Sequence, residues 1–307
     1  MTIAKDKRIG VLLGGLSAER KVSLKSGAAV AGALRRRGWD VVEIDVGRDL
    51  PAKLVESRVD VAWLALHGKF GEDGCVQGLC EVMGVPYTGS GVRTSAMCMD
   101  KTATKRAVAG VVGVVMAKDH VWRKGDPVPE DLGWPVMVKP PSTGSTIGMT
   151  KAANRAELEA GLAEAVKYGD EVLLEEFVEG DEITVAVVDG RALPVVRILP
   201  ESGWFDFEAK YTKGKTVYEV PAKISQAAWD AAQAAAVAAY RAMGCRGLSR
   251  ADFIVRADQV PVFLELNTLP GMTETSLSPM AAGQVGISFE DLVETILQGA
   301  ACSAPEV

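Results

Sequence analysis

Cysteine is sparse and unpatterned: Cys75, Cys80, Cys98, Cys245 and Cys302, five in all, form no C-x-x-C and no zinc-like pair. An odd set without such spacing argues against a disulfide framework and points to a reduced, cytoplasmic protein. Basic residues are outnumbered, 34 Lys plus Arg against 40 Asp plus Glu, a net charge of −6. That balance speaks against a general nucleic-acid surface and leaves room only for a local basic pocket. No stretch approaches the length of a membrane span, and Ile9-Gly-Val-Leu-Leu13 is too short for the apolar centre of a signal peptide. Internal repeats and low-complexity linkers are absent too.

What is present is ordinary globular composition, 48% hydrophobic and 24% charged over 307 residues, enough chain for two or three domains with cores of their own. The first hundred or so residues alternate strand and helix: Arg8–Leu13, a small-residue helix Ser23–Arg37, Asp40–Asp45, then Val59–Leu66. This predicts an α/β layer with a parallel sheet, its glycines (Gly14-Gly15, Gly68) at the C-terminal strand ends, where such sheets bind ligands. From Met99 a smaller α+β pattern follows: helix Lys101–Ala109, strands Val136–Lys139 and Ile147–Lys151, a helix near Arg155–Lys167, strand Val172–Glu176. Beyond Glu182 come strands to Leu199, an irregular stretch Glu201–Val217, the Ala-rich helix Gln226–Met243 and a final hairpin. The expected domains are 1–98, 99–182 and 183–307.

That hairpin carries the strongest chemical signal. Arg250-Ala-Asp-Phe-Ile-Val255 and Val262-Phe-Leu-Glu-Leu-Asn267 alternate as strands around Ala257-Asp258-Gln259. A tight turn at Asp258-Gln259 pairs Val255 with Val262, Phe253 with Leu264, Asp252 with Glu265 and Arg250 with Asn267. Ala251, Phe253, Val255, Val262, Leu264 and Leu266 then share an apolar face, and Arg250, Asp252, Glu265 and Asn267 share the other. Two opposed carboxylates about 5 Å apart repel by about 3 kcal/mol at an effective dielectric of about 20. Something positive must offset that in an enclosed site. An all-oxygen set suits Mg²⁺, and the rigid turn Asn267-Thr-Leu-Pro-Gly271-Met-Thr leads the chain straight away from it.

Other segments are weaker alone. Gly14-Gly15-Leu-Ser17-Ala-Glu19-Arg20 lacks the G-x-G-x-x-G spacing, so a nicotinamide site with Asp45 on the ribose is disfavoured; the turn can instead aim Glu19 at a small zwitterion. Lys139-Pro-Pro-Ser142-Thr-Gly144-Ser145-Thr-Ile-Gly148 offers amides, hydroxyls and one cation to phosphate, yet is no Walker A loop. Glu175-Glu176-Phe177-Val178, followed by Glu182, suits a nucleoside; His67 ends the third strand; Glu208-Ala-Lys210-Tyr211 sits in a segment that reads as a lid. Taken singly, each is also compatible with a plain surface turn or connector.

In order and together these segments resemble the D-alanine–D-alanine ligases of the ATP-grasp superfamily. The match runs through Leu12-Leu-Gly-Gly-Leu-Ser-Ala-Glu-Arg20, Ala65-Leu-His-Gly-Lys-Phe-Gly-Glu-Asp-Gly74 and Pro86-Tyr-Thr-Gly-Ser-Gly91. It continues in Met99-Asp-Lys101, Glu208-Ala-Lys-Tyr211, Glu265-Leu-Asn-Thr-Leu-Pro-Gly-Met-Thr273 and Ser276-Leu277. The resemblance implies an ATP-grasp fold with an N-terminal parallel-sheet α/β domain, a central α+β domain and a C-terminal α+β domain. It implies synthesis of D-alanyl-D-alanine from ATP and two D-alanines for peptidoglycan precursors, in a cytoplasmic homodimer.

By the same resemblance Lys101 and Lys139 contact ATP phosphates beneath the Ser142–Gly148 loop, Ser142, Gly144 and Lys210 also bind the nucleotide, Glu175 to Val178 form the adenine hinge, and Glu182 binds the ribose. Asp252, Glu265 and Asn267 hold two Mg²⁺, for which Mn²⁺ can substitute, with K⁺ as a further candidate. Glu19, Val22 and His67 bind the first D-alanine, and Ser276 and Leu277 the second. Arg250 and the Gly271 amide stabilise the oxyanion, and Tyr211 on a closing loop links to Ser145 and Glu19. Three positions depart from the family pattern: Ser142-Thr143 replaces a usual Arg-Glu pair, and Lys21 replaces a common acid. Tyr211 favours D-alanine over D-lactate as acceptor; ligases accepting D-serine or D-lactate are the alternative. A silent nucleotide-binding module is disfavoured by the intact Lys101, Lys139, Asp252, Glu265 and Asn267.

Overall fold

The computed structural model describes residues 2–129, 133–144, 146–201 and 214–303. Strand β1 (Arg8–Leu13), helix α1 (Arg20–Arg36), β2 (Asp40–Asp45), α2 (Leu50–Glu56) and β3 (Val61–Leu64) form the expected parallel layer, in strand order β2-β1-β3. β1 is apolar on both faces because both are covered. Ile9, Val11 and Leu13 join one core with α1, whereas Leu12 joins another beneath Leu50 and Leu54 of α2. Helices α3 (Cys75–Met83), α4 (Val92–Met99) and α5 (Lys101–Val108) then lead out of this layer.

Short strand β4 (Val115–Met116) precedes β5 (Asp119–Arg123), β6 (Val136–Lys139), β7 (Thr150–Ala152), helix α6 (Arg155–Ala165) and β8 (Glu171–Glu176). Strands β5, β8, β6 and β7, in that order, make an antiparallel four-stranded sheet, covered by Leu158 and Leu162 of α6. The expected strand Ile147–Lys151 is realised as β7, starting later because Gly148 turns with φ +73°.

The third sheet contains β9 (Asp181–Val188), β10 (Arg191–Ala192), β11 (Val196–Pro200), β12 (Thr216–Glu219), β13 (Leu248–Val255) and β14 (Pro261–Asn267). Its order is β12-β11-β9-β13-β14-β4, with β10 beside β9. Helix α7 (Gln226–Met243) lies across it, started by the Ser225 hydroxyl accepting the Ala228 N–H and stopped by Gly244 at φ +68°. Its buried face, Ala228, Ala232, Ala235, Ala236 and Ala239, is small enough to let the helix sit close to the strands. Helices α8 (Leu277–Gln284) and α9 (Phe289–Gln298) return to the first layer, where α9 packs on α1.

The β13–β14 hairpin corrects one expectation. Asp252 opposes Glu265 and Arg250 opposes Asn267 as expected, but the register shifts at Asp252/Phe253. Phe253 therefore pairs with Phe263 rather than Leu264, and Val255 with Pro261 rather than Val262. The reason is packing. A bulge turns Phe263 into the core, edge-on to Phe253 at 5.7 Å between ring centroids, and leaves Leu264 only partly buried.

Candidate active site

A cleft of about 530 Å³ lies where the first layer meets the hairpin. Its walls bring together Glu19, Val22 and His67 from the N-terminal layer, Lys101 and Gly144 from the middle of the chain, and Arg250, Glu265, Asn267, Gly271, Ser276 and Leu277 from the C-terminal part. Asp252 lies behind this surface, Glu182 sits on the neighbouring β9, and Lys139, Ser142 and Glu175–Val178 form an adjoining zone. Ser145, Lys210 and Tyr211 lie outside the described residues, as does most of the expected lid. A second cleft of about 420 Å³, walled by Leu16, Leu50, Phe70 and Leu79, contains none of the expected residues except His67.

The opposed acids are offset by cations, as their repulsion requires. Arg250 donates to both oxygens of Asp252, Nε to Oδ1 at 2.8 Å and an NH₂ to Oδ2 at 2.7 Å. Thr184 Oγ1 donates to Oδ1 at 2.5 Å and Asn267 Nδ2 to Oδ2 at 3.1 Å, so this buried carboxylate is saturated. Glu265 is more open, with Lys101 Nζ 3.4 Å from its Oε2. Among the described residues no three His, Cys, Asp or Glu side chains converge as a metal-binding group. A divalent cation here would rest on two carboxylates and the Asn267 amide oxygen. That all-oxygen set, needing external positive charge, fits a hard cation such as Mg²⁺.

The N-terminal wall is cross-braced. Ser17 Oγ donates to the His67 carbonyl at 2.7 Å and accepts the Glu19 N–H at 3.2 Å, fixing the turn that opens α1. Ser26 Oγ lies 3.3 Å from His67 Nε2 and accepts the Met272 N–H at 3.2 Å, so the wall is tied to the turn after β14. Burial lowers the pKa of His67 and outweighs the opposing pull of Glu19, so the ring is neutral at physiological pH. Glu72, which the sequence did not single out, accepts the Gly68 N–H at 2.5 Å. Burial, then the nearby Glu19 charge, push its carboxyl up to about 8. Asp45, weighed as a ribose acid, is instead clamped by both terminal nitrogens of Arg20 at 2.6 Å.

The opposite wall suits a polyanion. Lys101 Nζ also donates to the Thr143 carbonyl at 2.7 Å, tying the start of α5 to the Gly/Ser/Thr loop. Ser142 Oγ donates to Asp100 at 3.4 Å, and Thr143 Oγ1 to the Ile147 carbonyl at 2.9 Å. The loop reaches the N-terminal wall: a Cβ on Gly144 would lie 3.3 Å from Glu19 Oε2. At the end of β8, Glu176 N–H donates to the Lys118 carbonyl and Phe177 N–H to the Pro135 carbonyl, while Lys151 stands 3.5 Å over the Phe177 ring. Glu175 is buried, with Lys139 2.5 Å from Oε2 and Lys105 on Oε1. Burial would raise its pKa, but the two lysines hold it below the usual carboxylate range. Lys105 was not foreseen; the usable signal was Glu175 itself, an acid at the end of the apolar run Val172-Leu-Leu, which demands a buried cation.

Farther along the cleft, Ser276 precedes α8 without its side chain capping the helix. Its hydroxyl instead accepts the Thr273 N–H at 3.0 Å, which leaves the first-turn amides of α8 at the cleft. Gly271 runs close beside it: a Cβ there would lie 3.2 Å from Ser276 Oγ.

Residues 110–298 match the family model described as D-ala D-ala ligase C-terminus, and residues 49–90 the model for the N-terminus. A D-alanine–D-alanine ligase of Syntrophotalea carbinolica is 48% identical over 96% of this chain and 97% of its own. One from Geobacter sulfurreducens is 49% identical over 95% and 94%. Among solved structures, the Bacillus anthracis D-alanine–D-alanine ligase complexed with ATP superposes with a TM-score of 0.83 at 32% identity, covering 95% of this chain and 97% of that one. The VanG D-Ala:D-Ser ligase of Enterococcus faecalis gives 0.81 at 29%, covering 94% and 98%. With an ATP-grasp architecture end to end and both halves of the chain matched, this protein belongs to the D-alanine–D-alanine ligase family.

Proposed function

We propose that this enzyme joins two D-alanines into D-alanyl-D-alanine with cleavage of ATP to ADP, supplying peptidoglycan precursor synthesis in the cytoplasm. The observation that carries the reading is the meeting, in one cleft, of Glu19 and His67 on one side with Lys101, Arg250 and Glu265 on the other. Glu19, Val22 and His67 hold the first D-alanine, whose ammonium suits the Glu19 carboxylate. Lys101 and Lys139 bind the ATP phosphates beneath the Ser142–Gly148 loop, Glu175 to Val178 take the adenine and Glu182 the ribose. Asp252, Glu265 and Asn267 would hold two Mg²⁺, which supply charge neutralisation for phosphoryl transfer.

The first D-alanine carboxylate attacks the γ-phosphorus, giving a D-alanyl phosphate and ADP. The second D-alanine places its carboxylate at the N-terminus of α8, against Ser276 and the Leu277 N–H, and its amine attacks the acyl carbon. Arg250 and the Gly271 N–H stabilise the oxyanion, which collapses with release of phosphate. Water must be kept out, because it would hydrolyse the acyl phosphate. In this reading Lys210 and Tyr211 ride on a loop that closes over the site, with Tyr211 linked to Ser145 and Glu19, residues 1–98, 99–182 and 183–307 form three units, and the enzyme is a homodimer.

D-serine as acceptor is the second reading, favoured by the similarity to the D-Ala:D-Ser ligase; the more similar relatives favour D-alanine. ADP and dipeptide formation from Mg-ATP with D-alanine, L-alanine, D-serine, or D-alanine plus D-lactate decides between them. D-alanyl-D-alanine from D-alanine alone is expected, reduced at least about a hundredfold by Glu265→Gln. Turnover only with another acceptor would overturn the substrate and keep the mechanism.

A further inference from the structure

Lys105 is 3% exposed and lies outside the proposed machinery. All three of its ammonium donors meet oxygen: Glu175 Oε1, Asp119 Oδ1 at 3.3 Å and the Ala117 carbonyl at 3.2 Å. Glu175, itself 2% exposed, offers its other oxygen to Lys139 at 2.5 Å. One buried carboxylate is thus shared by two ammonium groups from different elements, α5 and β6. We propose that Lys105 is a positioning residue for ATP: by occupying Glu175 it leaves the charge of Lys139 available to the nucleotide phosphates. This rests on the reading of Lys139 as a phosphate-binding group.

The reasoning is one of charge balance. Glu175 and Lys139 alone would form a neutral contact pair in a weakly screened interior, presenting almost no net charge to a triphosphate. Lys105 makes the trio net positive. Asp119, whose side chain is 30% exposed, balances Lys105 from the solvent side, where water screens it. A phosphate competing for Lys139 then faces a carboxylate already held elsewhere. The same helix serves both lysines of the phosphate wall: Lys101 starts α5, and Lys105 follows one turn later.

The test is KM for ATP and for D-alanine in Lys105→Met, Lys105→Gln, Lys105→Arg and Lys139→Met. The two neutral variants should raise KM for ATP about tenfold and leave that for D-alanine within about twofold. Lys105→Arg, which keeps a positive charge against Glu175, should hold KM for ATP to within about threefold of the parent. A purely structural role predicts no such dependence on charge, and a neutral variant with KM for ATP within about twofold of the parent, or Lys105→Arg impaired as much as the neutral variants, overturns the proposal. Should Lys105→Met fail to fold, Lys105→Gln, which retains a hydrogen-bond donor for Glu175, decides in its place. Failure of both neutral variants to fold also overturns it, because the proposal assigns Lys105 an effect on Lys139 and no structural role. Lys139→Met controls the premise. Unchanged KM for ATP there refutes the Lys139 reading, whereas weak ATP binding there with a normal Lys105→Met refutes this inference only.

Discussion

Glu72 takes the Gly68 N–H from a half-buried position close to the Glu19 charge, and its carboxyl is pushed up to about 8 from an ordinary 4.5. Between those values the folded protein binds more protons than the unfolded chain, so the contribution of Glu72 to stability is greatest below the lower value and declines as pH rises through the upper one. Glu72→Gln keeps an acceptor for Gly68 and cannot ionise. Relative to the parent it should gain about 3 kcal/mol between about pH 5 and pH 8, read from denaturant melts at both, since each pH unit between the two values is worth about 1.4 kcal/mol. A difference that does not change with pH would mean Glu72 is already ionised in the fold. Such environments are hard to read from a sequence. Lys139 declares itself by standing before a Gly/Ser/Thr loop, but Lys105, in Lys-Thr-Ala-Thr-Lys, looks like any solvated helix charge. Its burial follows from Glu175, seventy residues away in the chain.

Helix α1 shows what an element owes to a missing side chain. Gly27 faces β1, and a Cβ there would lie 2.4 Å from Leu13 Cβ, inside any allowed contact. Gly27→Ala would gain up to about 1 kcal/mol in helix propensity. It would lose about 1–3 kcal/mol in overpacking, because the atom it meets first, Leu13 Cβ, is buried and next to the backbone. A net loss of about 1–2 kcal/mol in urea melts is expected, whereas an exposed Gly→Ala change would stabilise. Periodicity alone locates such elements well: β1, β2, β6 and α7 match their expected limits residue for residue. Register is less accessible. Alternation in Val-Phe-Leu-Glu-Leu-Asn is equally satisfied with Leu264 or Phe263 inward, and only the volume of the Phe253 ring beneath the helix selects Phe263.

At the scale of the molecule, the first core joins distant parts of the chain. Ile9, Val11 and Leu34 pack with Val196, Leu248, Leu292 and Ile296. Ion pairs reinforce the seam at its exposed edge, Arg36 with Glu290 at 2.6 Å and Lys5 with Glu294 at 2.6 Å. Exposed pairs of this kind contribute little, so the apolar contact dominates. Residues 1–98 expressed alone would leave that face in water and should show no cooperative thermal transition. A sharp, reversible melt of the fragment would show that its own contacts suffice. No local pattern announces this dependence, because a helix as amphipathic as α9 states that it needs a partner without stating which.

The bulge in the β13–β14 hairpin has a consequence for how the chain can change in length. Beyond it, the turn at Arg256–Val260 is closed by its own contacts, Arg256 N–H to the Val260 carbonyl and the Arg256 guanidinium to Asp258. Before it, Asp252 is pinned from the other side by Thr184 on β9. The two stretches therefore keep separate register, and residues gained or lost at the tip are absorbed there. One residue gained between Leu264 and Glu265 has no such outlet and would exchange the acid for a core side chain. The hairpin tip is free to drift while the carboxylates stay in place.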